Sequence, residues 1–202
     1  MQGKSFFDCL RTRTKGVIRA RIAYMICAMK DRRIPFAHAN SIYEIDIAFF
    51  QKLGVKYILI DLDNTLDPNF VKEPEPHAYE LKKKLDEAGI QLIIVSNNSG
   101  ERVHRYAELL GVKAECFMNK PFSGRLKKMM ERHGINPDEA IMVGDQIQTD
   151  VIAANGAGVR CVLTERLSKK EPPWTLFNRM FDWPKRKRMA KKGQLKDWRK
   201  FL

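Results

Sequence analysis

Short apolar runs alternate with segments of helical periodicity through the middle of this 202-residue chain. The apolar runs predict strands near residues 55–61, 90–96, 114–118, 140–144 and 159–163. Between them, apolar positions three and four residues apart predict helices near residues 77–88, 100–110, 122–133 and 148–156. Strands that alternate with helices indicate an α/β fold with a parallel, doubly wound sheet.

Periodic segments also flank this central region. Apolar residues at helical spacing predict a helix over residues 16–30 with arginines around it, and residues 42–53 are typical of a short helix or turn that leads into the first strand. Near the other end, four large apolar side chains fall at helical spacing: Trp174, Phe177, Met180 and Phe181.

Length and composition suit one α/β domain with extensions. The apolar fraction of 44% is ample for a hydrophobic core. We therefore predict three regions: a basic amphipathic N-terminal extension at residues 1–33, the α/β domain at residues 34–165, and a basic, aromatic-containing C-terminal extension at residues 166–202.

The composition also bears on the compartment. No apolar stretch approaches the roughly 18–20 residues that a transmembrane helix needs, and the beginning of the chain shows no secretory signal pattern. Its 4 cysteines have no paired spacing, which indicates a reducing environment. We expect a protein on the cytoplasmic or organelle-matrix side, with any membrane association peripheral.

Charge is distributed unevenly along the chain. Residues 1–33 have a net charge of +7 and residues 164–202 a net charge of +9, whereas residues 34–163 have −3, within a total of +13. The central region is mildly acidic and both ends are strongly basic. This asymmetry indicates that the ends contact a polyanionic surface.

Acidic residues follow the first predicted strand directly. Asp61 and Asp63 come at the end of an apolar run, with one residue between them. Ligand sites of open α/β sheets lie at the carboxyl ends of the strands. Two neighbouring carboxylates repel one another, and a hard divalent cation is the usual compensation. The pattern predicts a metal site that contains a nucleophile.

Other polar residues follow later strands at the same edge of the predicted sheet. Ser96 and Asn97 come after the second strand, Lys120 comes after the third, and Asp145 and Asp150 come after the fourth. Each alone has an ordinary explanation, such as a helix cap for Ser96 or an exposed surface amine for Lys120. Their order along the chain indicates one shared site.

Together these motifs resemble those of the haloacid dehalogenase (HAD) superfamily of phosphotransferases over roughly residues 42–165. The pattern is DxDxT, then Ser or Thr, then Lys, then GDxxxxD. The segments 61–66 and 144–150 look like the type IIIA branch, which includes the YqeG-like proteins and phosphatidylglycerophosphatases. The segments 41–46 and 174–179 also look like that branch.

The resemblance implies a HAD-like, Rossmann-like fold, and the short connections leave no room for a cap domain. It implies that Asp61 is the nucleophile and that Asp63 is the general acid and base. It implies that Mg²⁺ is held by the Asp61 carboxylate, the Asp63 backbone carbonyl and the Asp145 carboxylate. Further roles are implied for Ser96, Asn97 and Lys120, which would contact the phosphate, and for Asp150, which would orient the ligands or the lysine.

The basic ends indicate an anionic membrane surface as the partner. Aromatic side chains beside the basic run at residues 185–188 suit a lipid headgroup interface. The expected reaction is dephosphorylation of phosphatidylglycerophosphate to phosphatidylglycerol. Two alternatives stay open: a phosphatase for another macromolecular phosphate, such as a protein or a nucleic-acid end, and an RNA- or ribosome-binding protein on a HAD scaffold. Nucleic acid fits the charge but has no recognisable binding motif here.

Overall fold

The computed structural model describes residues 32–98, 100–170 and 173–202, with the backbone alone described at residues 173–178. Residues 33–202 form one compact unit. The helix predicted over residues 16–30 lies outside the described residues. The division of the chain into three regions stays a prediction.

Six strands form a single sheet in which every pair is parallel. They are β1 (Ala37–Ala39), β2 (Tyr57–Ile60), β3 (Gln91–Val95), β4 (Lys113–Glu115), β5 (Ala140–Gly144) and β6 (Arg160–Thr164). Their order across the sheet is β1-β6-β5-β2-β3-β4. The predicted parallel α/β sheet is confirmed, and β2 lies at its centre between β5 and β3.

Helices connect the strands. They are α1 (Ile47–Lys52), α2 (Pro76–Glu87), α3 (Gly100–Leu110), α4 (Gly124–His133), α5 (Ile152–Ala157) and α6 (Pro173–Lys191). Single 3₁₀ turns lie at Ile42–Glu44, Pro137–Glu139 and Trp198–Phe201. None of the helices in the described part of the chain is long and apolar enough to cross a bilayer.

Three local features differ from the pattern-based prediction. β1 was not predicted because it has three residues, Ala37–Ala39, with a histidine in the middle, and so shows no apolar run. The helix predicted over 148–156 begins instead with a π-helical turn, Ile147–Val151. The strand predicted near 114–118 occupies Lys113–Glu115.

Apolar residues cover both faces of the sheet, as alternation along a buried strand requires. Ile60 of β2 belongs to a cluster on one face that also contains Phe49 and Trp198. Its neighbour Leu59 belongs to a second cluster, which includes Met189 of α6. The C-terminal segment therefore contributes side chains to both hydrophobic clusters.

The carboxyl edge of the sheet has no additional domain over it within the described residues. Between β2 and α2 the chain has only the loop of residues 61–75, and between β3 and α4 it has α3 and β4. This agrees with the expected uncapped architecture.

The C-terminal 3₁₀ turn provides a test of the fold. Trp198 is 4% exposed, and its ring meets that of Phe49 edge to face with centroids 5.9 Å apart. We expect Trp198→Ala to lower the free energy of unfolding by about 3 kcal/mol in urea denaturation, because it leaves a cavity in the core. The matched control Trp183→Ala removes an indole that is 66% exposed and should change stability by less than about 0.5 kcal/mol. Equal effects of the two substitutions would contradict this packing.

Candidate active site

Asp61 and Asp63 lie where β2 ends at the centre of the sheet. The Asp61 backbone N–H donates to the Val143 carbonyl at 2.9 Å, which continues the pairing of β2 with β5. Asn64 then turns the chain with a φ of +62°. Asparagine tolerates this left-handed conformation better than most residues. Asp63 lies between the end of the strand and this turn, and the two acidic side chains make different contacts.

Lys120 lies inside this edge with its ammonium group buried. Its Nζ donates to Asp61 Oδ1 at 2.6 Å, to Asp150 Oδ1 at 2.7 Å and to the Val95 carbonyl at 2.9 Å. Burial alone would lower the pKa of Lys120, but the Asp150 and Asp61 carboxylates raise it above its ordinary value. The amine therefore stays protonated and links the ends of neighbouring strands.

Asn97 holds the backbone of Lys120 in place. Its Oδ1 accepts from the Lys120 backbone N–H at 2.7 Å, and its Nδ2 donates to the Lys120 carbonyl at 2.9 Å. The side-chain amide of Asn97 is thus committed to positioning the lysine. Its expected contact with substrate stays a prediction.

Ser96 is 1% exposed at the end of β3. Its Oγ accepts from the Asn98 backbone N–H at 3.1 Å, so this bond leaves the hydroxyl hydrogen available to a ligand. The Asn98 side chain in turn donates to Asp63 Oδ2 at 2.6 Å. The turn after β3 therefore reaches across to the loop after β2.

The Asp63 carboxylate is held from two sides. Besides Asn98, it accepts from Arg102 Nη1, which lies 2.6 Å from Asp63 Oδ1. The same guanidinium donates to the Val71 carbonyl at 3.0 Å and 2.8 Å. Arg102 thus ties α3 to the loop that follows β2 and fixes the orientation of Asp63.

Asp145 and Asp150 complete the group of acids. One carboxylate oxygen from each of Asp61, Asp145 and Asp150 lies within 4.8 Å of the other two, and all three residues are buried. Gly144 permits this, because a Cβ there would lie 2.4 Å from the Asp150 Cβ. Asp150 Oδ2 also accepts from the Gln146 backbone N–H at 3.1 Å.

The acid cluster fits a divalent cation. Burial raises the pKa of Asp61, and the neighbouring carboxylates add to this shift while Lys120 opposes it. Within the described residues, Asp145 Oδ1 is buried and has no hydrogen-bond partner. Unpaired buried carboxylate oxygens are costly, and hard divalent cations prefer such oxygen ligands. The predicted ligand at Asp63 is its backbone carbonyl, and its carboxylate lies outside the cluster.

Two arginines of α6 also contact Asp145, and the sequence-based prediction assigned no role at the site to either. Arg179 donates to Asp145 Oδ2 and, at 3.0 Å, to its carbonyl. Arg186 donates to the same carbonyl and, at 2.8 Å, to the Thr164 carbonyl. Between them, Asp182 accepts from the backbone N–H groups of Ile147 at 2.9 Å and Gln148 at 3.2 Å.

The spacing of these three residues was a usable signal. Arg179, Asp182 and Arg186 fall at positions i, i+3 and i+7, which share one face of a helix. A polar stripe inside a segment with large apolar residues indicates a face that contacts buried polar groups. The overall basic charge of the segment obscured it.

A second acidic group braces the loop after β2. Asp67 is fully buried; its Oδ2 accepts from the Tyr106 hydroxyl and from the Glu75 backbone N–H at 3.2 Å. Its Oδ1 lies 2.8 Å from His77 Nε2. Because both oxygens of Asp67 are used within the protein, this group supports the loop.

Comparison with known proteins identifies the class of protein. Residues 55–164 match the family model described as haloacid dehalogenase-like hydrolase. This match covers more than half of the chain, and the chain belongs to that family. The predicted family is confirmed.

Two of the relatives illustrate this similarity. The probable phosphatase YqeG of Bacillus subtilis is 27% identical over 162 residues, which are 80% of this chain and 94% of that protein. Phosphatidylglycerophosphate phosphatase 1 of Arabidopsis thaliana is 27% identical over 188 residues, 87% of this chain. The chain spans 54% of the length of this plant relative.

Solved structures include similar chains. An uncharacterized protein from Listeria monocytogenes has a TM-score of 0.48 and 21% identity, covering 59% of this chain and 85% of its own. The cobalt-bound deoxy-D-mannose-octulosonate 8-phosphate phosphatase of Haemophilus influenzae has a TM-score of 0.45 and 20% identity, covering 57% and 82%.

The burial of Asp145 predicts a pH dependence of stability. Burial raises the pKa of Asp145 to about 6, although Arg179 opposes the shift. The folded protein then binds this proton more tightly than the unfolded chain. In EDTA, stability relative to Asp145→Asn should rise as the pH falls through about 6 towards 4, by up to about 3 kcal/mol. Urea denaturation of both proteins measures it, and a difference that stays constant with pH would contradict it.

Proposed function

We propose that this chain is a magnesium-dependent phosphomonoester hydrolase that works through an aspartyl-phosphate intermediate. The observation that supports it best is the buried Lys120 amine between the carboxylates of Asp61 and Asp150, beside the unpaired oxygen of Asp145. A fixed amine and a cluster of acids at one edge suit a reaction in which anionic phosphate must approach a carboxylate.

In this proposal Asp61 and Asp63 perform the two chemical steps. An oxygen of Asp61 attacks phosphorus, and the bond from phosphorus to the leaving alcohol breaks while Asp63 protonates the leaving oxygen. Asp63 then takes a proton from a water molecule that attacks the phosphorus. The bond between phosphorus and Asp61 breaks, and inorganic phosphate leaves. Arg102 and Asn98 hold the Asp63 carboxylate in one orientation for both transfers.

The site residues would also hold the Mg²⁺ ion and the phosphate group. The carboxylates of Asp61 and Asp145 and the Asp63 carbonyl would bind Mg²⁺, whose chemistry is to neutralise charge between phosphate and nucleophile. Lys120 places its positive charge beside the phosphoryl group, and Ser96 offers its hydroxyl hydrogen to it. Asp150 keeps the lysine in place at 2.7 Å.

The substrate class that we propose is a phosphorylated membrane lipid, phosphatidylglycerophosphate, on an anionic surface. Three observations support it: the carboxyl edge is open in the described residues, the net charge of residues 164–202 is +9, and two relatives are named phosphatidylglycerophosphate phosphatase. An open site suits a substrate presented at a surface. The protein would then associate with the membrane peripherally.

The activity can be tested with mixed micelles of phosphatidylglycerophosphate. We expect phosphate release that needs Mg²⁺, and Asp61→Asn should lower kcat at least about 10³-fold because the nucleophile is lost. The matched control Asp86→Asn changes an exposed aspartate paired with Lys82 at the surface and should keep full activity.

Soluble comparators separate the alternatives. Glycerol 3-phosphate and a phosphopeptide should react much more slowly than the lipid. Phosphate release from a soluble ester but not from the lipid would overturn the proposed lipid substrate and support the phosphomonoester hydrolase activity. No release from any ester, together with salt-sensitive RNA binding that survives Asp61→Asn, would favour the RNA-binding alternative.

Metal binding has a readout independent of catalysis. We expect saturating Mg²⁺ to stabilise the protein by about 3 kcal/mol at a hundredfold excess over Kd, seen as a higher Tm. Asp145→Asn should abolish the increase because it removes one ligand. The control Asp86→Asn, at an exposed position, should leave the Mg²⁺-induced increase in Tm intact. An equal increase in the unaltered protein and both variants would contradict the assigned ligands.

A further inference from the structure

The most exposed large apolar side chains belong to segments that contact the active site. Among the large hydrophobic residues of the described part of the chain, those more than half exposed are Phe70 (59%), Phe117 (54%), Phe122 (68%), Met180 (68%) and Trp183 (66%). We call these five residues the apolar rim. They come from three separate segments of the chain.

Two of the rim residues are joined to Asp63 through its partners. Phe70 precedes Val71, whose carbonyl accepts from the Arg102 guanidinium that also binds Asp63. The Phe117 backbone N–H donates to the Asn98 carbonyl at 3.4 Å, and the Asn98 side chain binds Asp63. These two rings therefore come from loops that contact the active-site acid on either side.

The other three rim residues flank Lys120 and Asp145. Phe122 is two residues beyond Lys120, and its backbone N–H donates to the Asn119 carbonyl at 3.0 Å. Met180 follows Arg179, which binds Asp145. Trp183 follows Asp182, which binds the backbone at Ile147.

Phe117 also has a backbone conformation that bulky residues rarely adopt. Its φ of +53° is in the left-handed region, where a bulky side chain is an outlier. Strained residues of this kind concentrate at functional sites. At Phe117 this strained backbone carries a phenyl ring that is mostly exposed to solvent.

Basic groups accompany the rim. The Lys187 ammonium lies 5.0 Å from the centre of the Trp183 ring, and Arg125 donates to the Phe117 carbonyl. An indole beside cations suits the boundary between headgroups and acyl chains of an anionic bilayer. Phenyl and thioether groups have no hydrogen bonds to satisfy there. A membrane plane can also contact several loop tips at once.

We propose that the apolar rim and the adjacent Lys187 of α6 are the surface that docks on an anionic lipid bilayer, with the active site facing the membrane. This rests on the proposed lipid phosphatase function and extends it by naming the residues that enter the membrane. The catalytic edge would then meet the phosphate of a lipid without the acyl chains leaving the bilayer.

The test is sedimentation with vesicles of equimolar phosphatidylcholine and phosphatidylglycerol, using the full chain. We expect the double variant Phe122→Ser, Trp183→Ser to bind at least about tenfold more weakly than the unaltered protein, because two rings no longer leave water on docking. The matched control Tyr79→Ser, Leu109→Ser alters two side chains that are each 44% exposed outside the rim and should bind normally. Circular dichroism of both variants checks that they fold.

Two further arms separate this proposal from the proposed function. Asp61→Asn should bind the vesicles as the unaltered protein does, because binding needs no turnover. Vesicle binding by the unaltered protein without any lipid hydrolysis would overturn the proposed lipid phosphatase function but support the proposed docking surface. Hydrolysis in micelles with equal vesicle binding of the rim and control variants would overturn the surface alone. Binding to single-stranded RNA in place of vesicles, lost in the rim variant, would also overturn it.

Discussion

The ammonium group of Lys120 is the interaction on which the arrangement of the site depends. Its three bonds reach the Asp61 carboxylate after β2, the last carbonyl of β3 and the Asp150 carboxylate after β5. Removing one partner of a buried ion pair costs about 3–5 kcal/mol because a charge is left uncompensated. The lysine thus combines two tasks: it joins three neighbouring strands at their carboxyl ends, and it places a positive charge where an anionic substrate would enter. Asn97 contributes by binding both the backbone N–H and the backbone carbonyl of this lysine.

Much of this arrangement was predictable, because it follows from strand order and strand polarity. An apolar run that ends in Asp61 predicts a buried strand with an acid at its end, and parallel strands bring all such ends to one edge. The same reasoning placed Ser96 and Asp145 near Asp61, and the structure has them at that edge. Gly144 shows why the last motif needs its glycine: the Asp150 side chain occupies the space that a Cβ would take.

The parts that escaped prediction depend on contacts between distant segments. β1 has no apolar run because it is a three-residue edge strand, so only its pairing with β6 defines it. The contacts of Arg179 and Arg186 with Asp145 require α6 to fold back over the end of β5, and no local pattern specifies that path. The expected contact of Asn97 with the phosphate stays a prediction. The bond of its amide to Lys120, which is 23 residues further along the chain, was not foreseen.

The position of α6 in the chain has a consequence for how the site is completed during synthesis. The sheet and the three clustered acids Asp61, Asp145 and Asp150 lie before residue 170, whereas the guanidinium groups that bind Asp145 belong to residues 179 and 186. A growing chain that has emerged through β6 contains the full set of acids but lacks the cations that offset one of them. A segment that is synthesised after the whole sheet therefore supplies the counter-charge for a carboxylate at the end of β5.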